Sequence, residues 1–253
     1  MEDLKNKLKT AEVTMLELVD YSVGLFATID HLKNKIKDIE GDIVETGVWR
    51  GGACIYMAHV FPDRNIWVCD SFKGLPKAEF QEDMEDYEYA EGWYSASLDE
   101  VKENFIKFNV PNMNRIFFIE GWFKDTLPII DIKKIALLRL DGDLYSSTMD
   151  ALTYLYPKVS DGGAIIFDDS SVKGAYAAVY DYIKKNSIEN IKMINPATSE
   201  VVDGAGYLTW DELNAKIYPA KLNFLVGLWW IKNQLKTHLH ENEFPMDDGN
   251  CSP

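Results

Sequence analysis

The chain has few cysteines and no long apolar run. Its 253 residues include three cysteines, Cys54, Cys69 and Cys251, and no two of them form a Cys-x-x-Cys pair. This number does not support a disulfide framework, so we expect a reducing compartment. No apolar run approaches the about 18 residues of a membrane span, and the first residues lack the apolar segment of a signal peptide. We therefore expect a cytoplasmic protein with no membrane partner.

Positive charge is also scarce. The chain has 26 Lys and Arg residues against 41 Asp and Glu residues, which gives a formal net charge of −15. Because binding to nucleic-acid phosphates needs a basic face, we expect no nucleic-acid partner. Hydrophobic residues make up 47% of the chain and aromatic residues 13%. This composition is sufficient for a packed globular enzyme.

Short apolar runs alternate with helical segments from residue 41 onward. The apolar runs, at residues 43–45, 66–69, 116–119, 135–140 and 164–167, are continuous, as in strands buried on both faces of a parallel sheet. Helical spacing is found at residues 4–39, 51–61, 97–108, 146–156 and 172–185. The alternation predicts a doubly wound α/β fold with a mostly parallel sheet. Segments 79–94 and 195–221 do not fit it, and the first has the length of a lid or substrate loop.

A glycine-rich turn follows the first predicted strand. It contains Glu45, Thr46, Gly47, Val48, Trp49, Arg50, Gly51 and Gly52. Glycines there let the backbone approach a ligand closely, although the spacing fits neither the dinucleotide fingerprint nor the P-loop. Asp70 ends the second predicted strand, where an acid would accept hydrogen bonds from ribose hydroxyls. A tight turn beside a surface aspartate is the alternative, but the two features in this order favour an adenosine cofactor.

Four carboxylates end two consecutive predicted strands. Asp141 and Asp143 are two residues apart in an extended segment and so point to the same face, and Asp168 and Asp169 follow the next strand. Carboxylates this close either share protons or hold a hard cation. Oxygen ligands suit Mg²⁺, or else Mn²⁺ or Ca²⁺, better than zinc. The alternative is that these acids only form turns and helix caps.

Five ordered blocks of the chain resemble the macrocin-type sugar O-methyltransferases, which act on deoxysugars of macrolide and aminocoumarin antibiotics. The blocks are 41–52 (GDIVETGVWRGG), 70–76 (DSFKGLP), 121–128 (GWFKDTLP), 138–148 (LRLDGDLYSST) and 162–169 (GGAIIFDD). The resemblance implies a class I methyltransferase (Rossmann-like) fold with a seven-stranded, mostly parallel sheet. It also implies S-adenosylmethionine as donor and a required Mg²⁺. We expect residues 1–40 to form a helical lid or oligomerisation segment, 41–232 the methyltransferase domain and 233–253 a polar tail.

The resemblance also implies roles for single residues. Asp141, Asp168 and Asp169 would ligate the metal, and Asp143 would be the general base that takes the proton of a sugar hydroxyl. The residues that would hold the cofactor are Glu45, Thr46, Gly47, Arg50, Gly51, Asp70, Ser71, Gly121 and Trp122. A divalent ion that binds the acceptor oxygen lowers its pKa, and a carboxylate nearby completes proton removal.

We therefore expect a Mg²⁺-dependent, homo-oligomeric enzyme that methylates a sugar hydroxyl of a glycosylated natural product or an activated sugar. A catechol-like or polysaccharide-precursor acceptor is one alternative, and a non-catalytic module that binds an adenosine ligand is another. The chain departs from the family pattern at residues 16–20, at Ser170-Ser171 and in the extra length of 195–221. All three departures lie where the acceptor would bind, so the sequence does not identify the acceptor.

Overall fold

The computed structural model describes most of the chain up to residue 188 and three short strands beyond it. The described residues are 1–10, 19–86, 91–169, 172–188, 192–194, 201–203 and 228–231. They contain eight strands in one sheet, in the order β3-β2-β1-β4-β5-β8-β6-β7. The strands are β1 Asp42–Thr46, β2 Ile66–Asp70, β3 Ile116–Glu120, β4 Ile135–Leu140, β5 Val159–Phe167, β6 Lys192–Ile194, β7 Val201–Asp203 and β8 Leu228–Ile231.

Strands β1 to β5 are parallel, as their continuous apolar runs predict. The chain runs outward from β1 through β2 to β3 and then returns to β4 on the other side of β1. The winding direction therefore reverses between β1 and β4. Open α/β sheets bind ligands beyond the carboxyl ends of their strands at such a reversal, so the fold itself marks this place as the candidate site.

Helices connect the parallel strands and cover both faces of the sheet. They are α1 Glu2–Thr10, α2 Val19–Lys35, α3 Gly52–Val60, α4 Gln81–Asp86, α5 Leu98–Lys107, α6 Phe123–Thr126, α7 Tyr145–Leu155 and α8 Lys173–Lys185. The structure confirms the four helices predicted between residues 51 and 185, each within one residue of its predicted ends. One buried apolar cluster joins α2, α3 and α5 to the sheet, and another joins α7 and α8 to it.

The described part of the N-terminal segment packs against α3. Phe26 and Ile29 of α2 are buried, and the Phe26 ring lies 4.3 Å from the ring of Tyr56. The Tyr56 hydroxyl donates a hydrogen bond to Asp30 at 2.8 Å, and the ammonium group of Lys5 donates another to Asp30 at 2.7 Å. These contacts make the described part of residues 1–40 part of the core. Its predicted role as a lid or oligomerisation segment stays a prediction.

The far edge of the sheet differs from the seven strands predicted. Strand β8 pairs antiparallel with β5, β6 pairs antiparallel with β8, and β7 pairs antiparallel with β6. Within the described residues the sheet thus has eight strands, because β7 lies in the segment 195–221 that the sequence left unassigned. Three residues are too few for a periodic pattern to reveal a strand. The predicted polar tail and Ser170-Ser171 lie outside the described residues.

The described helices include none that combines the length and the apolar character needed to cross a bilayer.

Candidate active site

The glycine-rich turn meets the first acid of the cluster at the carboxyl ends of β1 and β4. Gly47 has a φ of +84°, and a Cβ atom there would lie 1.6 Å from the carbonyl oxygen of Asp141. The amide of Asp141 donates a hydrogen bond to the carbonyl of Thr46 at 2.9 Å. Only glycine allows this approach, so the predicted cofactor turn and the predicted metal segment are one continuous structure.

Asp70 holds the same turn from the end of β2. Its carboxylate accepts hydrogen bonds from the amides of Val48 and Phe72, both at 2.7 Å. Burial raises the pKa of Asp70, while these backbone bonds act in the opposite direction. The amide of Trp49 also donates to this carboxylate, and the Ser71 hydroxyl lies 3.5 Å from its Oδ1, so backbone and side-chain donors of its own loop surround the carboxylate. Ser71 is engaged within its own loop, where its hydroxyl donates to the carbonyl of Gly74 at 2.9 Å.

The other predicted cofactor residues surround these strand ends. Arg50 lies over the Trp49 ring, 4.8 Å from its centroid, and its Nε is 3.1 Å from a carboxylate oxygen of Glu100. Gly121, with a φ of +143°, donates its amide hydrogen to the carbonyl of Asp70 at 2.9 Å. Trp122 follows directly and precedes α6. The structure thus brings the predicted cofactor residues together around the ends of β1, β2 and β3.

A buried arginine connects the cofactor turn with the acids. The Arg139 guanidinium contacts the carboxylate of Glu45, lies 2.5 Å from an Asp141 oxygen and lies 2.6 Å from an Asp168 oxygen. Burial raises the pKa of Glu45, although Arg139 opposes this. Arg139 is a site residue that was not predicted from the sequence. Its signal was a single arginine inside a continuous apolar strand, because a charge is almost never buried without partners.

Asp141, Asp143 and Asp169 form a tight group of carboxylates beside this arginine. Each has an oxygen atom within 4.8 Å of the others. The amide of Asp143, which has a φ of +58°, donates a hydrogen bond to Asp169 at 2.9 Å. Burial and the neighbouring Asp141 raise the pKa of Asp143 to about 8, and burial raises the pKa of Asp168 to about 8. Burial and the charge of Asp143 also raise the pKa of Asp169.

This donor set fits a hard divalent cation. Its atoms are all carboxylate oxygens, which Mg²⁺ prefers, and the charge of a bound cation would offset both the burial and the mutual repulsion that raise the pKa values of Asp143 and Asp169. The grouping differs in one respect from the expected ligand set, because Asp143 stands with Asp141 and Asp169, whereas Asp168 faces Arg139. The individual roles of these four aspartates, as metal ligands or as general base, stay predictions.

A family model supports the resemblance found in the sequence. The model described as Macrocin-O-methyltransferase (TylF) matches residues 25–199, which is more than half of the chain. Demethyldecarbamoylnovobiocin O-methyltransferase of Streptomyces niveus is 48% identical over 141 residues, covering 52% of this chain and 53% of that protein. Mycinamicin III 3''-O-methyltransferase of Micromonospora griseorubida is 39% identical over 163 residues, covering 60% and 64%. The chain therefore spans between half and two thirds of the length of these relatives.

Solved structures show the same fold. The O-methyltransferase NovP is 32% identical to this chain, with a TM-score of 0.65 and coverage of 88% of this chain and 83% of that one. The calicheamicin methyltransferase CalS11 is 18% identical, with a TM-score of 0.60 and coverage of 91% and 90%. The parallel sheet of five strands with its flanking helices is thus a methyltransferase-like α/β fold.

Proposed function

The chain belongs to the Macrocin-O-methyltransferase (TylF) family, and we propose that it transfers a methyl group from S-adenosylmethionine to a sugar hydroxyl with the help of Mg²⁺. The acceptor would be a glycosylated natural product or an activated sugar. One observation carries the proposal: the three clustered carboxylates of Asp141, Asp143 and Asp169 are built onto the glycine-rich turn at the reversal of the sheet. A donor site and a metal site would then share one wall.

S-adenosylmethionine supplies the methyl group in this proposal. The residues proposed to hold it are those of the turn from Glu45 to Gly51 together with Asp70, Ser71, Gly121 and Trp122. The close approach of the Gly47 backbone to Asp141 supports this assignment, because it fixes the turn directly beside the carboxylate cluster. The position of Asp70 at the end of β2, bonded to the glycine-rich turn, supports its proposed contact with ribose hydroxyls.

A bound Mg²⁺ would lower the pKa of the acceptor hydroxyl and orient it for in-line attack. Asp141, Asp168 and Asp169 are the proposed ligands, and Asp143 is the proposed general base. An oxygen atom of Asp143 lies within 4.8 Å of carboxylate oxygens of Asp141 and Asp169, which supports its role as a proton acceptor beside the proposed ligands.

The position of Asp143 among the carboxylates favours a second assignment, in which Asp143 is itself a ligand. An Asp143→Asn variant distinguishes the two roles. Retained Mn²⁺ affinity with lost turnover supports the base, whereas lost Mn²⁺ affinity supports the ligand.

Sugar acceptors are proposed from the named relatives. One relative from Streptomyces olivaceus, 42% identical over 153 residues, is named for the 4'-O-methylation of a dimethoxy-rhamnosyl tetracenomycin. The test is a methyl-transfer screen, read by mass, against nucleotide-activated sugars, glycosylated natural products and catechols, with Mg²⁺ or with EDTA. Methylation of a sugar acceptor only with Mg²⁺ supports the proposal. Methylation of catechols alone supports the alternative acceptor, and calorimetric binding of S-adenosylmethionine without any turnover supports a binding module.

A further inference from the structure

The acidic helix α4 carries one aspartate that is buried. Asp83 is 2% exposed, although it lies in the six-residue stretch QEDMED of residues 79–86, which we call the acidic segment. Aspartate is almost never fully buried unless it is paired. Its partner is the amide of Tyr145, which donates a hydrogen bond to Asp83 Oδ1 at 2.8 Å.

This hydrogen bond supplies a cap that the local sequence of α7 lacks. Helix α7 begins at Tyr145, and Leu144 at its N-cap position has no side-chain oxygen to accept a bond from the first amides. Asp83, which lies 62 residues earlier in the chain, provides the acceptor instead. Its negative charge also lies favourably at the positive end of the helix dipole.

Helix α8 leaves room for Asp83 by means of a glycine. A Cβ atom at Gly174, in the first turn of α8, would lie 1.8 Å from Asp83 Oδ1. Glycine has a low helix propensity, so helical preference does not explain its presence in α8. The space that Asp83 occupies does explain it, because a larger residue would overlap the Asp83 carboxylate. The ring of Phe80 packs 4.5 Å from the ring of Tyr145, whose hydroxyl donates to Asp181 of α8 at 3.0 Å. The acidic segment, α7 and α8 thus meet at one contact.

We propose that Asp83 is a positioning residue that caps α7 from a distant segment and so holds the turn that carries Asp143. Asp143 lies two residues before Tyr145 in a left-handed backbone conformation, which costs free energy for a residue other than glycine. A fixed start of α7 keeps this turn in place, with the Asp143 amide bonded to Asp169. The consequence for metal binding rests on the proposed function, whereas the capping contact does not.

A double-mutant cycle between Asp83 and Gly174 tests the contact without any assay of activity. Gly174→Ala in the wild-type chain is expected to lower the Tm by about 2–4 °C, because the new methyl group overlaps Asp83. In an Asp83→Ala chain the same change is expected to leave the Tm unchanged or to raise it, since alanine is the better helix residue. Glu79→Gln, which removes an exposed carboxylate from the same segment, is the matched control and should leave the Tm unchanged. An equal fall in both backgrounds overturns the proposal.

Two further measurements test the positioning of the turn. Exchange of the Asp143 amide hydrogen with solvent is expected to be about fivefold faster in Asp83→Ala. This factor is the usual free-energy cost of losing a helix cap, converted into a ratio of equilibrium constants. Mn²⁺ affinity measured by electron paramagnetic resonance is expected to fall by a similar factor. Asp83→Asn, which keeps the acceptor oxygen, should restore both values toward those of the wild type.

The outcomes separate the two proposals. Unchanged exchange of the Asp143 amide in Asp83→Ala overturns the positioning role, and so does unchanged Mn²⁺ affinity in a protein that binds the ion. If the wild type binds no Mn²⁺ at all, the proposed metal site is refuted. Amide exchange and the double-mutant cycle then decide the role of Asp83.

Discussion

Arg139 lies where three strands end, and its guanidinium is the cation that the surrounding carboxylates share. Glu45 of β1, Asp141 after β4 and Asp168 after β5 all contact it. When one partner of a buried ion pair is removed, the other charge stays buried without a counter-charge. The resulting loss of stability is larger than the net stabilisation that the intact ion pair provides. This one side chain therefore fixes the relative positions of the cofactor turn and the acid cluster.

We predict that Arg139→Met lowers the free energy of unfolding by about 3–5 kcal/mol, because the buried carboxylates of Glu45 and Asp168 and the half-buried carboxylate of Asp141 lose their cation. Arg139→Lys should recover part of the loss, since it keeps the charge but not the planar fork. Urea denaturation of the metal-free proteins measures both values. A loss below about 1 kcal/mol for Arg139→Met would show that the carboxylates do not depend on it.

Gly47 is predicted to tolerate no side chain. Gly47→Ala adds a positive-φ strain and a Cβ atom that overlaps the carbonyl oxygen of Asp141, so the turn must move away from β4. We expect S-adenosylmethionine affinity, measured by calorimetry, to fall at least about tenfold, which corresponds to roughly 1.4 kcal/mol.

Gly92 provides the matched control for this variant. It has the same φ of +84°, but among the residues that the structure describes the nearest atom to an added Cβ lies 3.9 Å away. Gly92→Ala therefore carries the backbone strain without the overlap, and it should leave donor affinity unchanged. Equal losses of affinity in the two variants would mean that the approach to Asp141 is not what matters.

At the scale of elements, the parallel strands and their helices were predictable because each has a continuous apolar run or a helical period of sufficient length. The structure confirms strand β4 as six buried residues, including the arginine whose partners no local pattern could reveal. Helix α4 and strand β7 were missed because six and three residues carry too little periodicity. The contact of Asp83 with α7 was not predictable, since its two partners lie 62 residues apart.

Helix α2 packs into the hydrophobic core, and we predict that its apolar side chains contribute to the stability of the fold. Phe26 is 1% exposed and packs against Tyr56 of α3. Phe26→Ala should therefore lower the free energy of unfolding by about 3–5 kcal/mol, measured by urea denaturation. Ile129→Ala, at a side chain that is 84% exposed, is the control and should change it by less than about 0.5 kcal/mol. A change in acceptor KM without loss of stability would instead favour a mobile lid.

At the scale of the whole molecule, the fold brings three carboxylates together at one place. The chain carries a net charge of −15, and three carboxylates cluster where the sheet reverses direction. The reversal of the strand order between β1 and β4 accounts for the position of that place. We expect a cation at this cluster because Arg139, which contacts Asp141, carries a single positive charge and so offsets only one of the carboxylates.

The stability of the metal-free protein is predicted to fall as the pH rises. The pKa of Asp143 is raised to about 8 in the fold and that of Asp169 is raised as well, against about 3.9 in an unfolded chain. Carboxyl groups with raised pKa values stabilise the fold while protonated, and this contribution is lost as the pH rises toward about 8. In EDTA we therefore expect a lower Tm at about pH 9 than at about pH 6. The difference should be smaller in Asp143→Asn and in the presence of Mg²⁺, and a Tm that is independent of Mg²⁺ at the higher pH would contradict the account.

The central claim is that the acid cluster holds a divalent cation on which methyl transfer depends. The most direct test uses metal-stripped protein with labelled S-adenosylmethionine and a sugar acceptor found by the screen, before and after addition of Mg²⁺. We predict that the stripped protein transfers the methyl group at least about a hundredfold more slowly and that Mg²⁺ restores the rate. Equal rates with EDTA and with Mg²⁺ would contradict the account.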